Sequence, residues 1–397
     1  MNIVIAHFNA HYANMIGGVE KVTAELANAM VQRGHQVTIL YIGKTEGSSY
    51  FPVNPRVPEH NVLFEHGKPV VSARLSLGGR ILREAARLFS QKQAQAINAR
   101  AKGKAYGPRI RMWVEKIKPD IIVSTSAPST KYVVEDAGCT IPVVTMIHSQ
   151  PIVQFKSLST VERKAVEKSA ALQILLPSGM NDAKKYFPDL PIYVIGNAAE
   201  TPRMKADLTV KKTQHIISCV GIINGNKNQK LMVEAFASLA KEFPDWFIEC
   251  WGKISNEYIG AIRKIIKTAH LEDRVRFLGP TKDVDKDIYS RSDILAIPSK
   301  AEGFPLSLTE GMAAGLPAVG LASAPGVKDL IKDGVTGFLT DGTIKGYAAA
   351  LRKLMENQSL RVQMGQAGEK AISAYAPEIV WKQWEDLLAK VAGEYRK

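Results

Sequence analysis

Three cysteines in 397 residues, with no pair at metal-ligand spacing and no even framework, exclude a disulfide scaffold and a thiolate metal centre. Cys139, Cys219 and Cys250 read as small buried residues. No apolar run reaches the roughly 20 residues that span a bilayer. Met1-Asn2-Ile3-Val4-Ile5-Ala6 passes straight into a strand-like run, so neither a membrane span nor a signal peptide is expected. A cytoplasmic protein follows, free or attached to the inner face of a membrane. Acidic residues are scarce as well: 38 Asp and Glu against 52 Lys and Arg leave a net charge of +14. Most of the excess lies in one stretch. Between Lys68 and Lys118 thirteen basic residues stand against two acidic ones, Glu84 and Glu115, a local charge of +11. Folding has no need of such a cluster, which points to a polyanionic partner. The stretch has few aromatics and no nucleic-acid motif, so nucleic acid is not the expected polyanion.

A dinucleotide fingerprint is missing too. The first strand leads to Gly17-Gly18-Val19-Glu20 and a helix, with no G-x-G-x-x-G, which argues against a dehydrogenase. What is present is an α/β chain too long for one core, since single cores stop growing near about 250–300 residues. Strand-like runs at 2–7, 36–42, 120–124, 142–147, 171–176 and 192–195, then 214–220, 247–251, 275–278, 294–298, 318–321 and 337–339, alternate with helical patterns. That alternation predicts two doubly wound parallel sheets of Rossmann type. Residues 1–200 and 201–375 are the expected domains, with a linker in the polar, aperiodic segment 197–213. Residues 376–397 read as an amphipathic helix with Trp381, Trp384, Leu387, Leu388 and Val391 on its apolar face.

The most informative stretch is Glu302-Gly303-Phe304-Pro305-Leu306, followed by Glu310 and Gly315-Leu316-Pro317. An apolar strand precedes it and a helix start lies within it, so Glu302 falls in the loop at a strand's carboxyl end and Glu310 in the helix. Ligands of open α/β sheets sit at that edge, where helix N–H groups face anions. A carboxylate there accepts hydrogen bonds from a vicinal diol, as found in sugars and riboses. The stretch resembles the glutamate, seven residues, glutamate signature of the retaining family-4 glycosyltransferases of the GT-B fold. The resemblance implies that Glu302 faces a donor sugar and Glu310 binds the ribose of its nucleotide. It also implies an active site in a cleft between the domains and a final helix returning to the N-terminal domain.

Other positions join this reading. Gly221 to Lys230 leaves a strand and opens a helix, and resembles the family's phosphate-binding turn, with Lys227 matching the lysine that neutralises the diphosphate. Ile222 stands where the family has an arginine; Asn224, Asn226 or Lys253 are candidates to compensate. Paired Gly17 and Gly18 before a helix let backbone N–H groups approach a phosphate or a sugar, or form a tight turn with no ligand. The resemblance places a glycine pair against the donor diphosphate, bordering the acceptor. His148 ends a strand and faces the ligand edge by geometry, and the resemblance puts it beside the donor sugar. Gly303, Phe304 and Leu306 offer N–H groups near the departing phosphate, whereas Pro305 has none.

Between Ser76 and Ala101, Leu77, Ile81, Leu82, Ala85, Leu88 and Phe89 recur at helical spacing, with Arg80, Arg83 and Arg87 on a neighbouring stripe. This reads as a basic amphipathic helix able to lie on anionic lipid or to grip an anionic acceptor. With the resemblance, the expected protein is a retaining transferase using a nucleotide-sugar, a UDP-sugar by family frequency, as substrate. No cofactor and no metal are expected. Its expected partners are an anionic, polyprenyl diphosphate-linked glycan acceptor and an anionic membrane surface. A GT-B epimerase acting on the sugar nucleotide, or a transferase with a soluble or protein acceptor, fits the same residues.

Overall fold

The computed structural model of the chain describes residues 1–8, 12–71 and 73–395, with only the backbone of Lys92. In chain order the strands are β1 (Asn2–His7), β2 (Gln36–Tyr41), β3 (Glu59–Asn61), β4 (Phe64–Glu65), β5 (Lys68–Pro69), β6 (Ile121–Ser124), β7 (Val143–Met146), β8 (Ala171–Ile174) and β9 (Ile192–Val194). They continue with β10 (His215–Val220), β11 (Trp246–Trp251), β12 (Val275–Gly279), β13 (Ile294–Ile297), β14 (Ala318–Leu321) and β15 (Gly337–Thr340). One sheet runs β3-β2-β1-β6-β7-β8-β9 and another β12-β11-β10-β13-β14-β15, while β4 and β5 form a small hairpin. Pairing in both large sheets is parallel. Parallel strands are covered on both faces, and the central ones accordingly carry continuous apolar runs: Ile3, Val4 and Ile5 are all buried.

The chain divides into two compact units, Met1–Ile195 with Trp381–Lys397, and Gly196–Val380. Each strand expected from sequence is present to within two residues at either end. Segment 197–213 has no helix or strand, but it is fastened to the second unit: Ala199 N–H donates to the Tyr375 carbonyl at 2.8 Å and Ala206 N–H to the Ala314 carbonyl at 2.9 Å.

In the first unit α1 (Gly18–Gln32) buries Val22, Leu26 and Met30 and stops at Gly34, whose φ of +84° favours glycine. The basic segment forms two helices instead of one. α2 (Leu77–Phe89) starts at Ser76, whose hydroxyl accepts from Gly79 N–H, and it ends at Ser90, an extended residue from which α3 (Gln91–Ile117) departs. Helix Pro377–Tyr395 closes the first unit, with Trp381, Trp384, Leu387, Leu388 and Val391 buried. Its Glu385 accepts from His35 Nε2 at 3.1 Å and lies 3.6 Å from Arg33. Arg396 and Lys397, expected in the same helix, lie outside the described residues.

Candidate active site

In the second unit the crossovers after β10 and β13 meet at the carboxyl edge of the sheet. β10 hands over to Gly221, whose φ of +146° turns the chain, and the aliphatic stem of Lys227 lies 3.2 Å from the position a Cβ would take there. The turn is organised by Asn224, whose Oδ1 accepts from the N–H groups of Asn226 and Lys227 at 3.1 and 2.9 Å. Asn228, left-handed at φ 55°, then starts helix Gln229–Ala237. Asn224 is thus committed to the turn, and Ile222 near its start is 47% exposed. Lys253 is on the adjoining turn, its carbonyl accepting from Ile223 N–H at 2.8 Å.

This turn is latched to the loop after β13. Lys300 N–H donates to the Asn226 carbonyl at 2.8 Å, and Asn226 Nδ2 donates to the Ala301 carbonyl at 3.1 Å. With the backbones fixed, Lys227 Nζ reaches Glu302 Oε1 at 2.6 Å, joining two residues 75 positions apart. Gly326 packs beneath the same loop. A Cβ on it would meet the Gly303 carbonyl at 2.4 Å, and its N–H donates to the Glu302 carbonyl at 3.2 Å. Phe304 is buried edge-on against Tyr375 at 5.1 Å. Helix Leu306–Ala313 follows from Pro305 with no side chain capping its first turn, which leaves its positive end facing the loop. One turn along from Leu306, Glu310 accepts a hydrogen bond from the hydroxyl of the wholly buried Tyr289 at 2.7 Å.

The first unit gathers a different set of groups at the carboxyl edge of its sheet. His7 ends β1 with no exposure, and its Nε2 lies 3.4 Å from Glu20 Oε1. Its Nδ1 lies 3.4 Å from both Thr23 Oγ1 and Thr125 Oγ1. The Glu20 carboxylate covers Gly17: a Cβ there would meet Oε2 at 2.2 Å, so only glycine fits under that carboxylate as it lies. Gly18 opens α1 beside it. Burial alone would raise the Glu20 carboxyl, but the hydrogen bond from His7, a backbone N–H and the charge of nearby imidazoles hold it below its usual range. His148 follows β7, its Nε2 buried without a hydrogen-bond partner. Burial, and secondarily His7, push it down to about 4, so its imidazole is neutral near pH 7.

On α2, Arg83 and Arg87 share Glu84, at 2.5 and 3.0 Å, while Arg80 donates to the Leu75 carbonyl at 3.3 Å. The helix buries none of its residues. Leu77, Leu88 and Phe89 are 76%, 85% and 86% exposed. The cysteines are poor nucleophiles: burial pushes Cys139 up to about 11 and Cys219 up to about 12, with Cys250 well above the usual range. No helix among the described residues is long and apolar enough to cross a membrane, and none of their His, Cys, Asp and Glu side chains form a group of three able to hold a metal ion.

Tyr289, Gly326 and Glu20 escaped the sequence reading. Local signals point to two of the three: a tyrosine just before an apolar strand, and a glycine inside the Pro325–Leu330 helix, where glycine is costly unless something packs against it.

Residues 16–197 match the family described as Glycosyltransferase Family 4, and residues 200–371 the one described as Glycosyl transferases group 1. An uncharacterized glycosyltransferase of Haemophilus influenzae is 32% identical over 173 residues, 43% of this chain and 48% of that protein. Amylovoran biosynthesis glycosyltransferase AmsD of Erwinia amylovora is 27% identical over 202 residues, 50% of this chain and 56% of that one. The chain spans about half the length of these curated relatives. Among solved structures, TarM of S. aureus in complex with UDP has a TM-score of 0.73 at 14% identity, covering 98% of this chain and 99% of that one. Anabaena HepE in complex with UDP has a TM-score of 0.71 at 16% identity, covering 98% and 100%. These likenesses show the fold, which is of the GT-B class.

Proposed function

The chain belongs to the glycosyltransferases through both of its halves, and from that premise we propose that it moves a sugar from a nucleotide-sugar to a hydroxyl of a glycan acceptor. The observation that carries this reading is the 2.6 Å pair of Lys227 and Glu302, a cation and a carboxylate brought together beside an uncapped helix. An ammonium has three N–H donors. One holds Glu302, and the others are available to diphosphate oxygens, assisted by N–H groups of Gly303, Phe304 and Leu306. Gly221 and Asn226 shape the turn that carries the lysine. Glu302 then faces hydroxyls of the donor sugar and Glu310 those of the ribose.

In the proposed reaction the bond from the anomeric carbon to the phosphate oxygen breaks on the face where the acceptor oxygen bonds. The acceptor's proton passes to the departing phosphate, and configuration is retained. Lys227 supplies the positive charge for the leaving group, so the scheme needs no metal and no cofactor. The favoured donor is a UDP-sugar, in keeping with the UDP held by TarM and HepE. His148, neutral and beside the Glu20 carboxylate, suits hydrogen bonding to sugar hydroxyls. Gly17, under a carboxylate, and its neighbour Gly18 suit a hydroxyl-rich group better than a phosphate.

For the acceptor we favour a lipid-linked, anionic glycan in surface polysaccharide synthesis, with α2 resting on the inner face of an anionic membrane. Its apolar face is open, and each basic residue near such a surface contributes about 1 kcal/mol. Leu88→Ser with Phe89→Ser is expected to abolish sedimentation with anionic vesicles while leaving the melting temperature unchanged. Equal sedimentation of the variant would contradict the membrane role.

A thermal-shift panel of UDP, GDP, ADP and their sugars tests the donor site, since a ligand at 100 times its Kd stabilises by about 2.7 kcal/mol. UDP or a UDP-sugar is expected to raise Tm. If none of the nucleotides does so, the proposed function is wrong.

A further inference from the structure

We propose that Tyr289 is a positioning residue for nucleotide binding: its hydroxyl sets the orientation in which the Glu310 carboxylate meets the ribose diol. The inference rests on the reading of Glu310 as the ribose ligand. Tyr289 lies in the short turn Tyr289–Arg291 just before β13, with its ring fully buried. Its hydroxyl is 2.7 Å from Glu310 Oε2 and 3.5 Å from the Ser307 carbonyl. Both acceptors belong to helix Leu306–Ala313, so the tyrosine ties the second turn of that helix to the chain entering the strand before it. Burial, with the charge of Glu310 next in weight, pushes the phenol well above its ordinary ionisation. It therefore remains a proton donor at every working pH.

The need for such a group follows from side-chain chemistry. The last torsion of a glutamate is broad and has no sharp rotamer. Two vicinal hydroxyls are held best by a carboxylate whose plane is fixed before the ligand arrives. A charge-assisted hydrogen bond from a buried, rigid phenol fixes that plane, and it does so from within the protein, without occupying the ligand's side.

Tyr289→Phe removes one oxygen and keeps the ring. Its Kd for UDP is expected to rise about tenfold, the loss of roughly one hydrogen bond to a charged group, while its Kd for 2′,3′-dideoxy-UDP stays at the wild-type value. In the transferase assay KM rises and kcat is unchanged. A merely structural role would lower Tm yet leave the ratio between the two nucleotides untouched, and that outcome overturns the proposal. Glu310→Gln, measured alongside, separates the two readings. If Glu310→Gln weakens UDP and Tyr289→Phe does not, the inference fails and the site stands; if neither weakens UDP, Glu310 is not the ribose ligand and both fail.

Discussion

The two units place polar groups at the same edge of similar sheets but treat charge in opposite ways. In the second, Lys227 and Glu302 form an ion pair, and the uncapped helix Leu306–Ala313 adds positive field. In the first, His7 and His148 are buried imidazoles around one carboxylate, Glu20, and His148 is kept neutral. A site that pairs its charges and keeps a cation is suited to a diphosphate. A site of buried imidazoles around one carboxylate is suited to hydroxyls. Under the proposed function, the difference corresponds to a division of labour, with the anionic part of the donor assigned to the second unit.

The sharpest way to break that contrast is Glu302→Gln. It removes the charge proposed to face the donor sugar and is expected to lower kcat by about 100-fold, the range for losing one group aimed at developing charge, with UDP affinity near wild type. Wild-type turnover in this variant would remove Glu302 from the chemistry. Lys227→Met comes next: UDP affinity measured by calorimetry is expected to fall about tenfold or more, as for a lost charge-assisted contact. An unchanged affinity would place the diphosphate elsewhere.

Two glycines sharpen the comparison further. Gly326→Ala pushes a Cβ against the Gly303 and Glu302 carbonyls, backbone that cannot step aside, and is expected to cost about 1–3 kcal/mol in urea unfolding. Gly17→Ala meets only the end of a flexible glutamate, so Glu20 swings away at a cost of less than about 1 kcal/mol. Equal losses at the two sites would contradict the distinction between a backbone obstacle and a flexible side chain.

A further effect concerns pH. His148 has an ordinary value of 6.5 and a folded one of about 4. As pH falls below 6.5 the unfolded chain takes up a proton that the folded one refuses, so this contribution to stability is complete above 6.5 and is lost progressively toward pH 4. His148→Gln is expected to flatten that part of the profile of urea midpoints against pH. An unaltered slope would show that His148 titrates normally in the fold.

Much of this was legible in the sequence, because runs such as Ile3-Val4-Ile5 and Ile294-Leu295-Ala296-Ile297 have no amphipathic ambiguity and fix central parallel strands. β3, with Glu59, His60 and Asn61, was missed because an edge strand needs no apolar run. The hairpin of β4 and β5 was missed for brevity and for its Pro69. Glu302 and Glu310 stand out by spacing and Lys227 by the resemblance of its turn to the family's phosphate-binding turn, whereas Tyr289 and Gly326 act on residues 21 and 24 positions away, beyond any local pattern. The amphipathic helices are the clearest lesson. Both α2 and Pro377–Tyr395 read as one-sided apolar helices, yet one buries no residue and the other covers five large side chains with protein. Periodicity reveals a face; it does not say what lies against it.

The measurement that bears most directly on the acidic turn is a crystal structure of the protein with UDP bound. We expect the ribose hydroxyls within hydrogen-bonding distance of the Glu310 carboxylate and the diphosphate beside Lys227. UDP bound away from residues 302–310, with Glu310 turned to solvent, would contradict it.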